Sequence, residues 1–345
     1  MKTLAGTPIS VLDLATYPQG GTIADAFRAS RALAQGAERW GYRRYWVAEH
    51  HNLEGVGSSA TVILMGYLAE GTSTIRIGSG GIMLPNHAPL VVAEQIGTLE
   101  SLYAGRIDLG LGRAPGTDAL TMRALRRNTG GRGEDFDEQV AELLSYFAPA
   151  TPGQGVKAIP GAGLDVPVWI LGSSLYSAHF AAAIGRPYAF ASHFAPGDLL
   201  EAIEIYRREF KPSKALAAPY VMVGVPALAA ATDERAEFLA TSMYQRFLGI
   251  IKGQRFAIPP PVESMEGLWS HGERMAVAER MALMVVGGPE RVRAGLQEII
   301  EATQADELIV SSDAFRREDR LASYEIIAEV AGLRTKPGDE KKAAA

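Results

Sequence analysis

Ile9-Ser10-Val11-Leu12-Asp13, then a helical pattern from Ile23 to Trp40 that stops at Gly41, then Tyr45-Trp46-Val47-Ala48-Glu49, is the stretch on which the fold turns. Two short apolar runs joined by a segment of helical period are the pattern of two parallel strands and their crossover helix, and glycine is a good helix stop. The rhythm then repeats. Ile75 to Met83 predicts a third strand, interrupted by Gly78, Gly80 and Gly81. Ser58 and Ser59 stand where they can cap a helix over Ala60 to Glu70, and Pro89 suits the first turn of the next. Ile107 to Leu111, Val168 to Leu171, Tyr188 to Ala191, Tyr220 to Val225 and Glu307 to Val310 complete the strands. Helices are predicted over Asp118 to Arg127, Glu134 to Phe147, Leu175 to Ile184, Leu199 to Phe210 and Asp319 to Ala331. Eight alternating units predict an α/β fold, the closed (β/α)8 TIM barrel. A doubly wound open sheet more often has about five to seven and a glycine-rich first turn, which is absent after Asp13. One domain is expected over residues 1-335. It carries an insertion over the barrel mouth after strand seven, residues 253-284, which includes Pro259, Pro260 and Pro261 and is long for a connection. The polar tail 336-345 is expected to be disordered.

The whole chain narrows the partners. Hydrophobic residues make up 47% and charged residues 21% of 345, which excludes a disordered or fibrous chain and fits a large buried core. The net charge is -5 and the 34 basic residues are scattered, so nucleic acid and acidic lipid are set aside in favour of a small-molecule partner. With no cysteine there is no disulfide, zinc ribbon or thiol nucleophile. Met1 to Pro8 lacks a basic segment followed by an apolar run, and no stretch approaches the roughly 18 apolar residues of a membrane span, so a cytoplasmic protein is expected.

In a β/α barrel the active site forms at the C-terminal ends of the strands. The residues at those places are unusually polar: Asp13; Glu49, His50 and His51; Gly80 and Gly81; Gly112 and Arg113; Gly172, Ser173 and Ser174; Ser192 and His193. Gly172-Ser173-Ser174 leads into a helix whose N-terminal amides favour an anion such as a phosphate, although Ser174 is also an ordinary N-cap. Arg113, ending the neighbouring strand, can form charge-assisted hydrogen bonds with a phosphate there. Arg123 is a second candidate or an exposed helix arginine. Of the adjacent His50 and His51 only one can face the mouth, as acid/base, donor or structural residue. The six histidines form no His-x-His or His-Glu-x-x-His pattern, so no metal site is assigned. Asn86-His87 reads as the turn before Pro89. Met265, Trp269, Met275, Met281 and Met284 line an apolar pocket or pack helices.

Set in barrel order, three segments resemble the bacterial luciferase-like flavin monooxygenases: Tyr45-Trp46-Val47-Ala48-Glu49-His50-His51, Gly80-Gly81-Ile82-Met83-Leu84-Pro85-Asn86-His87-Ala88-Pro89 and Gly110-Leu111-Gly112-Arg113-Ala114-Pro115-Gly116-Thr117-Asp118. Val168 to Ser174 and Gly287 to Val292 are similar to the family as well, so the resemblance covers Pro8 to Leu333. The opening Ser10 to Leu14 resembles a single-gene, luciferase-like bacterial subgroup. The resemblance implies FMN in the mouth, its phosphate near Arg113, Arg123, Ser173 and Ser174, with Gly172 in the turn and Ser177 a further ligand. It places the catalytic histidine on His50 and a non-proline cis peptide behind the flavin on Gly80-Gly81. Where luciferase has a glutamate beside its phosphate-binding serine, this chain has Ser173. The activity implied is oxygenation of a small organic substrate by O2 and reduced FMN through a C4a-peroxyflavin, with a separate flavin reductase and a homodimer. The alternatives are a deazaflavin (F420)-dependent oxidoreductase and a flavin-binding protein without turnover.

Overall fold

The computed structural model describes residues 2–114, 116–125 and 135–333. The expected tail 336-345, Pro115, and the predicted helix ends at Arg127 and Glu134 lie outside the described residues.

The strands are β1 (Ile9–Asp13), β2 (Arg44–Val47), β3 (Arg76–Ser79), β4 (Ile82–Met83), β5 (Ile107–Gly112), β6 (Val168–Gly172), β7 (Tyr188–Phe190), β8 (Val221–Ala229), β9 (Val285–Gly287) and β10 (Glu307–Ser311). All pair in parallel. β10 joins both β1 and β8 and so closes the sheet on itself. β3 and β4 fill one wall position in turn, on either side of Gly80-Gly81, and both lie against β5. The result is the closed eight-stranded parallel barrel that the strand rhythm predicts.

Pleat alternation divides each strand between two environments. Ile9, Val11, Tyr45 and Val47 face the helices and belong to the main core, whereas Leu12, Trp46, Trp169, Met222 and Ile309 fill the interior. Below that layer, at the strand starts, Arg44 is buried between Glu307 (2.8 Å) and Asp108 (2.7 Å), and Arg76 makes a second ion pair with Asp108 (2.7 Å). Ser10 and Tyr220 complete the hydrogen bonding of Glu307.

The outer layer follows the sequence closely. Helix α1 (Ile23–Trp40) starts on a Thr22/Asp25 capping box and ends on Gly41 in the left-handed conformation, φ 85°. α2 (Thr61–Glu70) departs from expectation: its N-cap is Ala60, which has no polar side chain to cap with, and Thr61 in the first turn donates to the carbonyls of Ala48 and Ser58. α3 (Pro89–Leu102) has Pro89 in its first turn. α4 (Ala119–Leu125), α5 (Phe136–Phe147), α6 (Leu175–Ala183), α7 (Leu199–Glu209), α8 (Asp233–Ile251), α9 (His271–Arg280), α10 (Pro289–Thr303) and α11 (Arg317–Val330) follow. No helix among the described residues is long and apolar enough to cross a membrane.

One strand escapes the sequence reading. β9 pairs Val285 to Gly287 with Ala227 to Ala229, extending β8 past its contacts with β10. Three residues beside a helical stretch carry too little periodicity to be seen. Along the extension Ala227 and Ala229 belong to the main core, while Leu228 joins a separate cluster with Met243, Met265 and Met281. Met265 and Met281 therefore serve packing, and Met275 is exposed. The irregular chain after α8 touches the loop after β1: the Ile258 amide donates to the Tyr17 carbonyl (3.0 Å), and the Gln19 amide donates to the Ile258 carbonyl (2.8 Å).

Candidate functional site at the barrel mouth

The strand ends bring most of the polar residues to the mouth, but not all face into it. Asp13 shares the outward face of β1. Its carboxylate is buried beneath α11, ion-paired to Arg320 (2.8 Å) and hydrogen-bonded by the Tyr45 hydroxyl and the Ala15 amide. Burial alone would raise its pKa, but Arg320 and the hydroxyl donors bring it below the ordinary value. It is a structural carboxylate.

Glu49 also faces away from the interior. Its buried carboxylate takes contacts from His51 Nε2 (2.8 Å), His87 Nε2 (2.9 Å), the Met83 amide (3.0 Å) and Asn86 Nδ2 (3.3 Å). Burial opposes ionisation, yet the hydrogen bonds from His51 and His87 hold the carboxyl at about 2. His87 thus does more than shape a turn: with Glu49 it ties the loop after β2 to the end of β4. A spacing of 38 residues hides that pairing from any local reading.

His50, between these two, lies on the opposite side of the chain. Its amide reaches the Ser58 carbonyl, and its Nδ1 lies 3.4 Å from the Gly116 carbonyl. Burial lowers its pKa below the ordinary histidine value, against the raising effects of the Gly116 carbonyl and Glu49, and so favours the neutral imidazole. Arg246 of α8 contributes to its field, itself paired to Asp313 (2.9 Å). Sequence reading missed Arg246, since a helical arginine carries no signal of where it points.

The peptide joining Gly80 and Gly81 is cis. The chain is tight there: a Cβ on Gly80 would meet Leu12 Cδ1 at 2.7 Å, and one on Gly81 would meet the Gly110 carbonyl at 2.9 Å. Farther round the mouth, Ser174 is the N-cap residue of α6 yet makes no side-chain cap hydrogen bond, and Ser173 is half-buried beside it. Arg113, exposed at the end of β5, stacks on the Tyr176 ring in the first turn of α6, 3.8 Å from the centroid. The Tyr176 hydroxyl is fixed by Asp137. Gly172 ends β6 directly beneath Ser177, whose buried hydroxyl donates to the Ser174 carbonyl (2.7 Å) and meets the Tyr188 hydroxyl (3.0 Å). Arg123 stands exposed on α4 and forms no ion pair among the described residues. The structure therefore brings Arg113, Ser173 and Ser174 together and sets Ser177 behind them in the wall, while Arg123 makes no hydrogen bond or ion pair to them among the described residues. No group of three His, Asp or Glu side chains among the described residues is arranged to hold a metal ion.

These residues fit a phosphate-bearing ligand. An uncapped helix N-terminus presents free amides, the Ser174 hydroxyl is uncommitted, and a guanidinium stands over the same turn.

A barrel with this mouth defines a class, and comparison with known proteins gives its family. The model of the luciferase-like monooxygenases matches residues 8–307, and the chain belongs to that family. Among its relatives, YvbT of Bacillus subtilis (strain 168) is 57% identical over 325 residues, covering 94% of this chain and 96% of the relative. A luciferase-like monooxygenase of Escherichia coli (strain K12) is 50% identical over 329 residues, covering 95% and 97%. The crystal structure of apo-MsnO8 superposes with a TM-score of 0.89 at 34% identity, covering 96% of this chain and all of that one. More distant structures share the fold. They include the oxygenating constituent of 3,6-diketocamphane monooxygenase from Pseudomonas putida in complex with FMN (17% identity, 96% and 99% covered, TM-score 0.70). Another is an F420-dependent secondary alcohol dehydrogenase (14%, 95% and 99% covered, TM-score 0.68).

Proposed function

We propose that the protein is a monooxygenase that uses reduced FMN and O2 to oxygenate a small organic substrate, working in the cytoplasm as a homodimer with electrons from a separate reductase. The observation that carries the reading is the anion cradle at the start of α6, where Arg113 stands beside the uncommitted Ser174 hydroxyl. FMN has the phosphate such a cradle fits, and the FMN-bound fold relative supports the choice.

In this reading Ser173, Ser174 and Arg113 bind the phosphate, Ser177 and Gly172 shape the turn beneath it, and Arg123 approaches from α4. Gly80 and Gly81 keep the floor of the mouth free of side chains so that a flat ring can lie against backbone. Reduced flavin supplies the electrons that activate oxygen. His50, whose burial favours the neutral imidazole, offers its ring as hydrogen-bonding or proton-accepting group. The segment from 253 to 284, with its own small core, covers the mouth and keeps water away. The exposed apolar residues of α2 and α3, Ile63, Tyr67, Val91 and Leu102, support the homodimer.

The test is titration with oxidised and reduced FMN, with F420 in parallel. Ser174→Ala and Arg113→Ala should each weaken FMN binding by roughly tenfold or more, the worth of a charge-assisted hydrogen bond. Ser174→Ala should leave the urea midpoint in place, because no cap bond is lost. His50→Ala should bind FMN and lose turnover. FMN affinity indifferent to both cradle variants overturns the site, and tight F420 binding without FMN binding moves the protein to hydride transfer.

A further inference from the structure

The mouth contains a second histidine. His193 lies three residues beyond β7, in a turn whose preceding residue, Ser192, is buried and donates its hydroxyl to the Gly224 carbonyl of β8 (2.5 Å). Gly224 is two residues from Met222, which belongs to the interior cluster, so its missing side chain would project into the barrel. A Cβ built on Gly224 would run into His193 Nδ1. The imidazole thus occupies the space that the glycine vacates, one pleat above the interior layer. Two consecutive residues of the turn are fixed on one glycine, and the ring has a made place.

The ring is not used by the chain around it. His193 Nδ1 is buried without a hydrogen-bond partner. A buried polar atom left unpaired is costly, and a fold that shapes a slot for an imidazole and then leaves it unpartnered keeps that group for something outside the chain. The groups facing the ring come from several elements. His50, in the loop after β2, is the titratable group among the described residues that acts on it electrostatically; burial, then His50, brings His193 to about 4. Ser192 is committed to Gly224, and the next residue, Phe194, lies under Arg280 of α9 (5.5 Å). A neutral imidazole here presents one donor and one acceptor and no charge.

We infer that His193 is a hydrogen-bonding partner of the flavin ring, pairing with one of its uncharged carbonyl or N–H groups. This rests on the reading of the mouth as the flavin site. Depth favours the flavin over the organic substrate: the ring lies against Gly224, two residues along β8 from Met222 of the interior layer. His50, after β2, belongs to the opposite wall of the barrel from His193, after β7.

The experiment is FMN titration of His193→Phe, which keeps a ring in the slot without nitrogen, and of His193→Gln, which restores a polar group. Alongside, the imidazole nitrogens of 15N-histidine-labelled wild type are followed as FMN is added. Expected are a dissociation constant raised about 5- to 20-fold in His193→Phe, the loss of one hydrogen bond, and partial recovery in His193→Gln. The His193 nitrogen resonance should move on binding, and the urea midpoint of His193→Phe should not fall. Wild-type affinity in His193→Phe together with an unmoved His193 resonance overturns the inference. The nitrogen spectrum keeps the test decisive should a variant fail to fold. If FMN binding is instead insensitive to Arg113→Ala and Ser174→Ala, the flavin site itself is lost and not His193 alone.

Discussion

Glu49→Gln isolates what the clamp between the β2 and β4 ends contributes. The carboxyl falls from 4.5 to about 2, which at about 1.4 kcal/mol per tenfold corresponds to about 3 kcal/mol of folding stability. The group is almost fully buried, so solvent screening takes little of this away. Because the folded value is depressed, the contribution is present above pH 4.5 and drains away as pH falls toward 2, with about 2 kcal/mol gone by pH 3. Glutamine keeps the shape and can still accept from the Met83 amide, but it gives His51 and His87 no charge. At pH 7 the variant should be less stable by about 2 to 3 kcal/mol. The assay is urea unfolding from pH 7 to pH 3. Wild type should lose about 2 kcal/mol more than the variant across that range, so the two curves converge in acid. Parallel curves would refute the argument, since they would mean that the Glu49 charge contributes nothing that titrates.

Two further outcomes concern other parts of the barrel. Arg44→Met leaves the buried Glu307 and Asp108 without their shared cation and should cost about 3 to 5 kcal/mol in urea unfolding; a loss below about 1 kcal/mol would show the floor network to be dispensable. Ile63→Asp with Leu102→Asp places charge on the exposed face of α2 and α3 and should convert a dimer to a species of 36.9 kDa in sedimentation. A dimer that survives both changes uses another surface.

The barrel was legible because its strands are buried on both faces and read as short apolar runs, each set off from the next by a helix, with Gly41 and Pro89 marking helix ends. The strand ends were legible for the same reason: polar residues stand out against apolar runs, and counting them in barrel order gathered His50, Arg113 and Ser174 around one mouth. Orientation was harder. Which of Glu49, His50 and His51 faces inward depends on the pleat phase of β2, which ends at Val47 and leaves those three in irregular chain. Pairing across the fold was not legible at all. His87 on Glu49, His193 on Gly224 and Arg246 beside His50 are contacts between distant segments, and a lone glycine in β8 gave no sign that an imidazole lay on it.

The overhang of β8 has a consequence for how such a protein can diversify. A single strand carries the main core on one face through Ala227 and Ala229, and the small core of the 253 to 284 segment on the other through Leu228. The two cores have no residue in common. The small core of the segment therefore meets the scaffold at the overhanging end of β8, much as a tool head fits a handle. Segments of different length or lining can be exchanged above Leu228 while the barrel that holds Arg44, Trp46 and the strand-end loops goes on folding as before. Variation in that segment is thereby uncoupled from the packing that holds the barrel together.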